Sequence, residues 1–336
     1  MTTIVDLPSF VDALDEAGQL ARINRTVSLE YELADVAASL ARTGTGAGLF
    51  NQVEGSPWPV FCGGVASHRR AAIALGCNEG ETVDVMERVL DPANGIPPIR
   101  VDSAAWEANT VRGDDLDTSL LPIPTHSRGD GGAFITGAVT VARDPVSGRG
   151  NLSYNRMLRL DEHTFGFNVN EWRDVGTFWK SRDDPDAPFP IALAIGLDPA
   201  IMIAAGVKTP VDELFIAGAI RGRGIEVRQG LTIDVDIPAA AEIVVEGLLH
   251  PAERRSEGPL AEFHGYHGEA WNSPTLEVTA ISWRDDPIYQ TIIPGWYEHV
   301  YLGNVLPREP LLRRFVRHLD PTADVHIPAY GNGFLA

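Results

Sequence analysis

Apolar residues recur at helical spacing mainly toward the two ends of the chain. Leu7, Phe10, Val11 and Leu14 share one face of a predicted helix over 6–20, which Gly18 helps to stop. Leu33, Val36, Ala37 and Leu40 mark a second over 29–42. Glycines at 44, 46 and 48 then break the pattern and predict a loop. They are not a dinucleotide fingerprint, because the third comes too early and no strand precedes them. Residues 49–62 read as short strands around Gly55-Ser56-Pro57, and 71–75 and 83–90 as short helices. After proline-bearing stretches at 91–99 and 121–124 the texture changes. Runs at 135–143, 191–197, 201–206, 231–237, 242–249, 276–281 and 288–293 are of β type, and 232–237 alternates strictly. Seven strands with few helices between them predict a barrel or sandwich rather than a doubly wound sheet. Leu311, Leu312, Phe315, Val316 and Leu319 mark a closing helix. Asp324-Val325-His326-Ile327-Pro328 then starts like a strand, and the sequence ends at Ala336 after Gly331-Asn332-Gly333. An element begun and not finished predicts that something is missing.

Composition narrows the function. With 44% hydrophobic and 22% charged residues, the chain of 336 has the make-up of a folded protein and room for two domains. The net charge of −19 repels phosphate backbones, so nucleic acid is not an expected partner, although a local basic pocket for one small anion is compatible with it. Cys62 and Cys77 have no metal-type spacing and no disulfide framework. The N-terminus lacks a basic and apolar leader, and no apolar run is long enough to span a membrane. A cytoplasmic location is expected.

Three polar clusters carry candidate chemistry. Glu257 and Glu262 lie five apart, split by Gly258-Pro259. In a turn followed by a strand both can face one cavity, where like charges raise one pKa and keep a proton for donation; a solvated acidic loop is the alternative. Asn151-Leu152-Ser153-Tyr154-Asn155-Arg156 offers donors for a phosphate or carboxylate, or is an ordinary strand start. Asp212-Glu213 begins a helix, where an acid is more often a cap than a ligand. His264 and His267 give only a weak metal signal, with His267 expected on a loop.

Taken together, the motifs resemble the UbiD family of prenylated-FMN-dependent decarboxylases. The resemblance rests on Pro122-Ile123-Pro124-Thr125-His126, on Gly129 to Thr136, and on Asn151 to Arg156. It continues through Asp212-Glu213 and Ala217 to Gly222, Pro238 to Gly247, and Glu257-Gly258-Pro259 with Glu262 and Gly265-Tyr266, all in the family's order. It implies an α+β fold: an N-terminal α/β region over 1–115 and a flavin-reductase-like split β-barrel over 116–305. Residues 306–336 would be a linker helix and the start of a truncated C-terminal domain, the family's C-terminal domain being largely absent. A homo-oligomer, or a complex with a subunit supplying that domain, is the implied assembly, with a flavin prenyltransferase as cofactor supplier.

The implied reaction is reversible non-oxidative decarboxylation of an aromatic, heteroaromatic or α,β-unsaturated acid. Loss of CO₂ from an sp² carbon leaves a carbanion outside any π system, and the modified flavin supplies the electron sink. By motif, Arg156 would bind the substrate carboxylate, Glu262 would donate the proton, and Glu257 would couple to Arg156. Asn151 and Glu213 would hold a divalent metal, Mn²⁺, at the flavin phosphate, with K⁺ as a further ion. Thr136, Asn151, Leu152, Ser153, Tyr154, Asn155, Arg156, Trp172, Arg173 and Glu213 are the expected cofactor contacts. The family's third metal ligand is a histidine, and the matching stretch from Val169 to Asp174 has none. Either Arg173 pairs directly with phosphate or Glu213, or Glu171, Asn170 or water completes the shell. Trp296, Tyr297 and Tyr301 are guesses for the substrate pocket. The alternative function is a non-catalytic flavin-binding or accessory subunit that needs a partner chain.

Overall fold

The computed structural model describes residues 2–262, 264–328 and 331. Phe263 and 332–336, which sequence reading placed within the acidic cluster and at the chain's end, lie outside them. Helices are α1 (Leu7–Glu16), α2 (Glu32–Thr43), α3 (His68–Leu75), α4 (Thr82–Val89), α5 (Asp174–Lys180), α6 (Pro199–Ala205), α7 (Glu213–Arg221), α8 (Tyr297–Val300) and α9 (Leu306–Arg317). Asp6 caps α1 by accepting the Ser9 N–H at 2.9 Å. The helix ends before residue 20 because Leu20–Ile23 pairs in parallel with Ala47–Phe50. Gly48 therefore lies within a strand, and the glycine triplet is only partly a loop.

A mixed four-stranded sheet contains Leu20–Ile23, Ala47–Phe50, Val60–Cys62 and Tyr289–Gln290, in that order. The run at 288–293 thus joins this N-terminal sheet rather than the larger one. A curled nine-stranded antiparallel sheet dominates the rest. From one end it runs Phe134–Ile135, Met157–Arg159, Thr164–Phe167, Trp271–Trp283, Ile243–Glu257, Phe189–Ile195, Val139–Arg143, Gly150–Tyr154, with Asn109–Val111 beside Trp271–Trp283. Gly150–Tyr154 and Met157–Arg159 are adjacent in sequence yet lie near opposite ends of the sheet. Asn155 and Arg156 are the two residues that carry the chain across the seam.

Two apolar runs behave differently from their patterns. Residues 201–205 belong to α6, which Gly206 follows as the C-cap and which Asp198 caps through the Ala200 N–H at 2.7 Å. All seven residues of α6 are buried, so no polar face marks it as a helix. Of 231–237 only the end is strand, in Asp236–Pro238. The N–H groups of Leu231 and Thr232 instead donate to the Glu246 carboxylate at 2.8 and 2.6 Å. The last stretch, 324–328, forms no strand either, and the Ile327 N–H donates to Glu309 Oε1 at 2.6 Å.

The closing helix is turned the other way from its apolar stripe. Leu306, Pro307, Glu309, Pro310 and Arg313 are buried, while Leu311, Phe315 and Leu319 are exposed. A π-helical turn at Tyr301–Val305 joins α8 to α9. Pro307 and Pro310 explain the break, since neither can donate to the preceding turn. Both cysteines are free thiols, and no helix among the described residues is long and apolar enough to cross a membrane.

Candidate active site

Arg156 leaves the seam with a side chain that is almost buried. Its Nε and Nη2 donate to Oε1 and Oε2 of Glu257 at 2.9 and 3.2 Å, a two-toothed contact. Its Nη1 donates to Oε1 of Glu262. Asn168 Nδ2 holds Glu257 from another side at 2.8 Å. Glu257 ends the long strand Ile243–Glu257, and Gly258 follows at φ +106°, which only glycine adopts without strain. The chain then doubles back through Leu260–Ala261 and His267–Gly268, which places Glu262 beside the same guanidinium. His267 lies in that hairpin, not on a loop, and its Nε2 contacts the Ser127 hydroxyl at 2.9 Å.

Glu257 is fully buried, and burial, more than the neighbouring Glu262, pushes its carboxyl above the usual range. Arg156 and Asn168 act in the opposite direction. The sequence-based expectation that like charge does this is therefore half right. Glu262 keeps 31% of its side-chain surface exposed and faces a cavity of about 580 Å³, a size suited to a bound organic ligand.

The same cavity is lined by Thr136, Asn151 to Arg156, Trp172, Arg173 and Glu213, all expected cofactor contacts. Tyr154 also anchors the wall, its hydroxyl donating to the Met202 carbonyl at 2.7 Å. Four basic side chains, Arg156, Arg173, Lys208 and Arg308, line one cavity of a strongly acidic chain. Asp174, Glu213 and Glu262 line the same cavity, so its charge is mixed. Trp296 and Tyr297 border a separate minor hollow, and Tyr301 packs edge-on against His68, so none of these three guesses lines the cavity. Leu302, Gly303 and Asn304 of the π turn do so instead.

A second polar centre lies at Asn151 and Glu213. Asp212 caps α7 through the Leu214 N–H at 2.8 Å, which leaves Glu213 to turn inward. Glu213 accepts the Leu152 N–H at 2.7 Å, and Asn151 Nδ2 lies 3.3 Å from both Glu213 oxygens and from Asp174 Oδ2. Burial first, then the nearby Asp212 and Asp174, push Glu213 up to about 8. Asn151 Oδ1 is buried and, among the described residues, has no hydrogen-bond partner. An orphaned oxygen among crowded carboxylates is what a hard divalent cation would satisfy.

The expected candidates for the third ligand are placed otherwise. Glu171 is paired with Lys180 at 2.7 Å and Arg254 at 2.8 Å, and Asn170 Oδ1 accepts the Trp172 N–H. Arg173 makes no ion pair with Glu213 among the described residues; Asp174, the next residue, approaches Asn151. Sequence reading also missed Asn168, Lys208 and His299. His299 is half-buried against the cavity and accepts the Gly295 N–H at 3.2 Å, and desolvation lowers it to about 4. None of these carried a local spacing signal.

One wall depends on close backbone approach. An added Cβ at Gly206, which ends α6, would sit 2.1 Å from the Leu302 carbonyl oxygen. Gly206→Ala is expected to lower stability by about 1–3 kcal/mol through overpacking. The denaturation midpoint measures this, and a midpoint equal to wild type would show that the wall yields freely.

Residues 99–297 match the 3-octaprenyl-4-hydroxybenzoate carboxy-lyase Rift-related domain of UbiD, and 11–90 match its N-terminal domain. The chain belongs to the UbiD family. It is therefore a carboxy-lyase. A phenolic acid decarboxylase of Streptomyces sp. (strain D7) is 32% identical over 325 residues, 92% of this chain and 68% of that protein. An evolved dimeric form of the UbiD-class enzyme HmfF from Pelotomaculum thermopropionicum, in complex with prFMN, superposes with a TM-score of 0.92 at 34% identity. That match covers 98% of this chain and 77% of HmfF. A 3,4-dihydroxybenzoic acid decarboxylase from Enterobacter cloacae is 29% identical with a TM-score of 0.90, covering 98% and 73%.

Proposed function

We propose that this UbiD protein decarboxylates an aromatic, heteroaromatic or α,β-unsaturated acid, reversibly, with prenylated FMN in the 580 Å³ cavity. The observation that carries the reading is the convergence of Glu257 and Glu262 on Arg156, about a hundred positions away in the chain, with Arg156 and Glu262 lining that cavity and Glu257 buried behind them. When bound, the modified flavin supplies the electron sink for the electrons left by CO₂. Arg156 orients the substrate carboxylate through its planar fork, and Glu257 and Asn168 fix that fork in place. Glu262, partly exposed to the cavity, delivers the proton to the carbon that loses CO₂.

Asn151, Glu213 and Asp174 would hold a divalent metal such as Mn²⁺ at the flavin phosphate, with Arg173 and Lys208 adding positive charge. The orphaned Asn151 oxygen supports that fit; K⁺ rests on the resemblance alone. Residues 116–305 form the flavin-binding unit in this reading. The outward apolar side of α9, at Leu311, Phe315 and Leu319, fits a further copy or a subunit completing the protein. A complete carboxylate and guanidinium set favours the enzyme over a non-catalytic accessory role. Two free thiols are compatible with a reducing, cytoplasmic setting.

Co-expression with a flavin prenyltransferase tests the proposal. Mass spectrometry is expected to find prenylated FMN on the purified protein, and a screen of aromatic acids to find CO₂ release. Protein that takes up no flavin under those conditions would overturn the cofactor assignment.

A further inference from the structure

Away from the cavity, α3, α9 and the segment after α9 meet at two imidazoles and a carboxylate. His68 is the first residue of α3, Glu309 lies on the buried side of α9, and His326 follows at 326. One ligating atom from each lies within 4.8 Å of the other two. His326 Nδ1 is 3.3 Å from Glu309 Oε1, and the His68 and His326 rings are 5.1 Å apart at 37°. Around a tetrahedral ion with bonds near 2.1 Å, ligand atoms lie roughly 3.4 Å apart. The Glu309–His326 pair already has that spacing, and small side-chain rotations bring in His68.

The surroundings leave this carboxylate short of positive charge. Glu309 is only 2% exposed on a helix whose Leu311 and Leu312 face outward. Arg313, one turn further on, is occupied by Asp84 and by Glu87 at 2.7 Å, with Asp324 at 3.9 Å. Among the described residues, no lysine or arginine pairs with Glu309 within 4 Å; its near neighbours are the His326 ring and the Ile327 N–H, which donates to Oε1 at 2.6 Å. Tyr301 packs edge-on against His68 and fixes its ring, the centroids 5.2 Å apart.

We propose that His68, Glu309 and His326 bind one divalent transition-metal ion of the zinc class, which clips 321–328 onto α3 and α9. Two imidazole nitrogens and one carboxylate oxygen suit Zn²⁺ or Co²⁺ better than the harder Mn²⁺ expected beside Asn151 and Glu213. The fourth position opens to solvent beside the exposed His326.

The test uses the whole chain, stripped with chelator and titrated with Zn²⁺ by calorimetry, alongside His326→Ala, His68→Ala and Glu213→Gln. Wild type and Glu213→Gln are expected to bind one equivalent that each histidine variant loses or binds at least about tenfold more weakly. Zn²⁺ should raise the melting temperature of wild type and not of His326→Ala, whose exposed side chain can be removed without a cavity. Equal Zn²⁺ binding by wild type and both histidine variants would overturn the site. So would the absence of any Zn²⁺ equivalent in wild type.

Discussion

Glu262→Gln is expected to lower decarboxylation by about 10²- to 10⁴-fold, the usual contribution of a positioned acid or base. Glutamine has the same shape and still accepts the Arg156 Nη1 proton through its amide oxygen, so the guanidinium stays in place. What it cannot do is carry an exchangeable carboxyl proton to the reacting carbon. Flavin absorbance should therefore match wild type while hydrogen–deuterium exchange at that carbon disappears. Retained exchange and turnover would remove Glu262 from the proton path and shift attention to Glu257, the carboxyl that burial pushes up.

Arg156→Ala is expected to act on stability as well as activity. Glu257 is 0% exposed, and without Arg156 its charge would be left with only Asn168 as a hydrogen-bonding side chain. Breaking a buried pair from one side costs about 3–5 kcal/mol, because the remaining charge stays desolvated. Adding Glu257→Gln removes that charge, so the double variant should unfold at higher denaturant than Arg156→Ala and remain inactive. If the single variant unfolds with wild type, the contact carries little energy and the site is held by the hairpin alone. Activity in the double variant would show that the carboxylate of the substrate is oriented elsewhere.

How legible the protein was differs by element. Helices α1, α2 and α9 were visible because each has one wet face, and a wet face imprints the 3.6 period on the chain. Helix α6 was invisible for the opposite reason: buried all round, its apolar run reads like a strand. The strict alternation at 232–237 misled because Glu246 captures two backbone N–H groups there, a competitor no local pattern reveals. Even α9, found correctly, was oriented wrongly, since Arg313 faces inward to an ion pair with Glu87 and Glu309 inward to the Ile327 N–H rather than outward to water.

The motifs carried the site further than periodicity carried the fold. Arg156, Glu257, Glu262, Asn151 and Glu213 could be named through the resemblance of their motifs to those of UbiD, since each cluster alone also read as a loop, strand start or cap. The sequence by itself determined the family, the acidic balance, and the residue types able to hold an anion or move a proton. Tertiary structure alone decided that Asp174 meets Asn151, that Asn168 fixes Glu257, that His299 lines the cavity, and that His68 meets His326. The physical reason is that composition and periodicity record the contrast between water and interior. Which groups face one another across a seam, and hence their desolvation and pairing, is set only once distant segments pack.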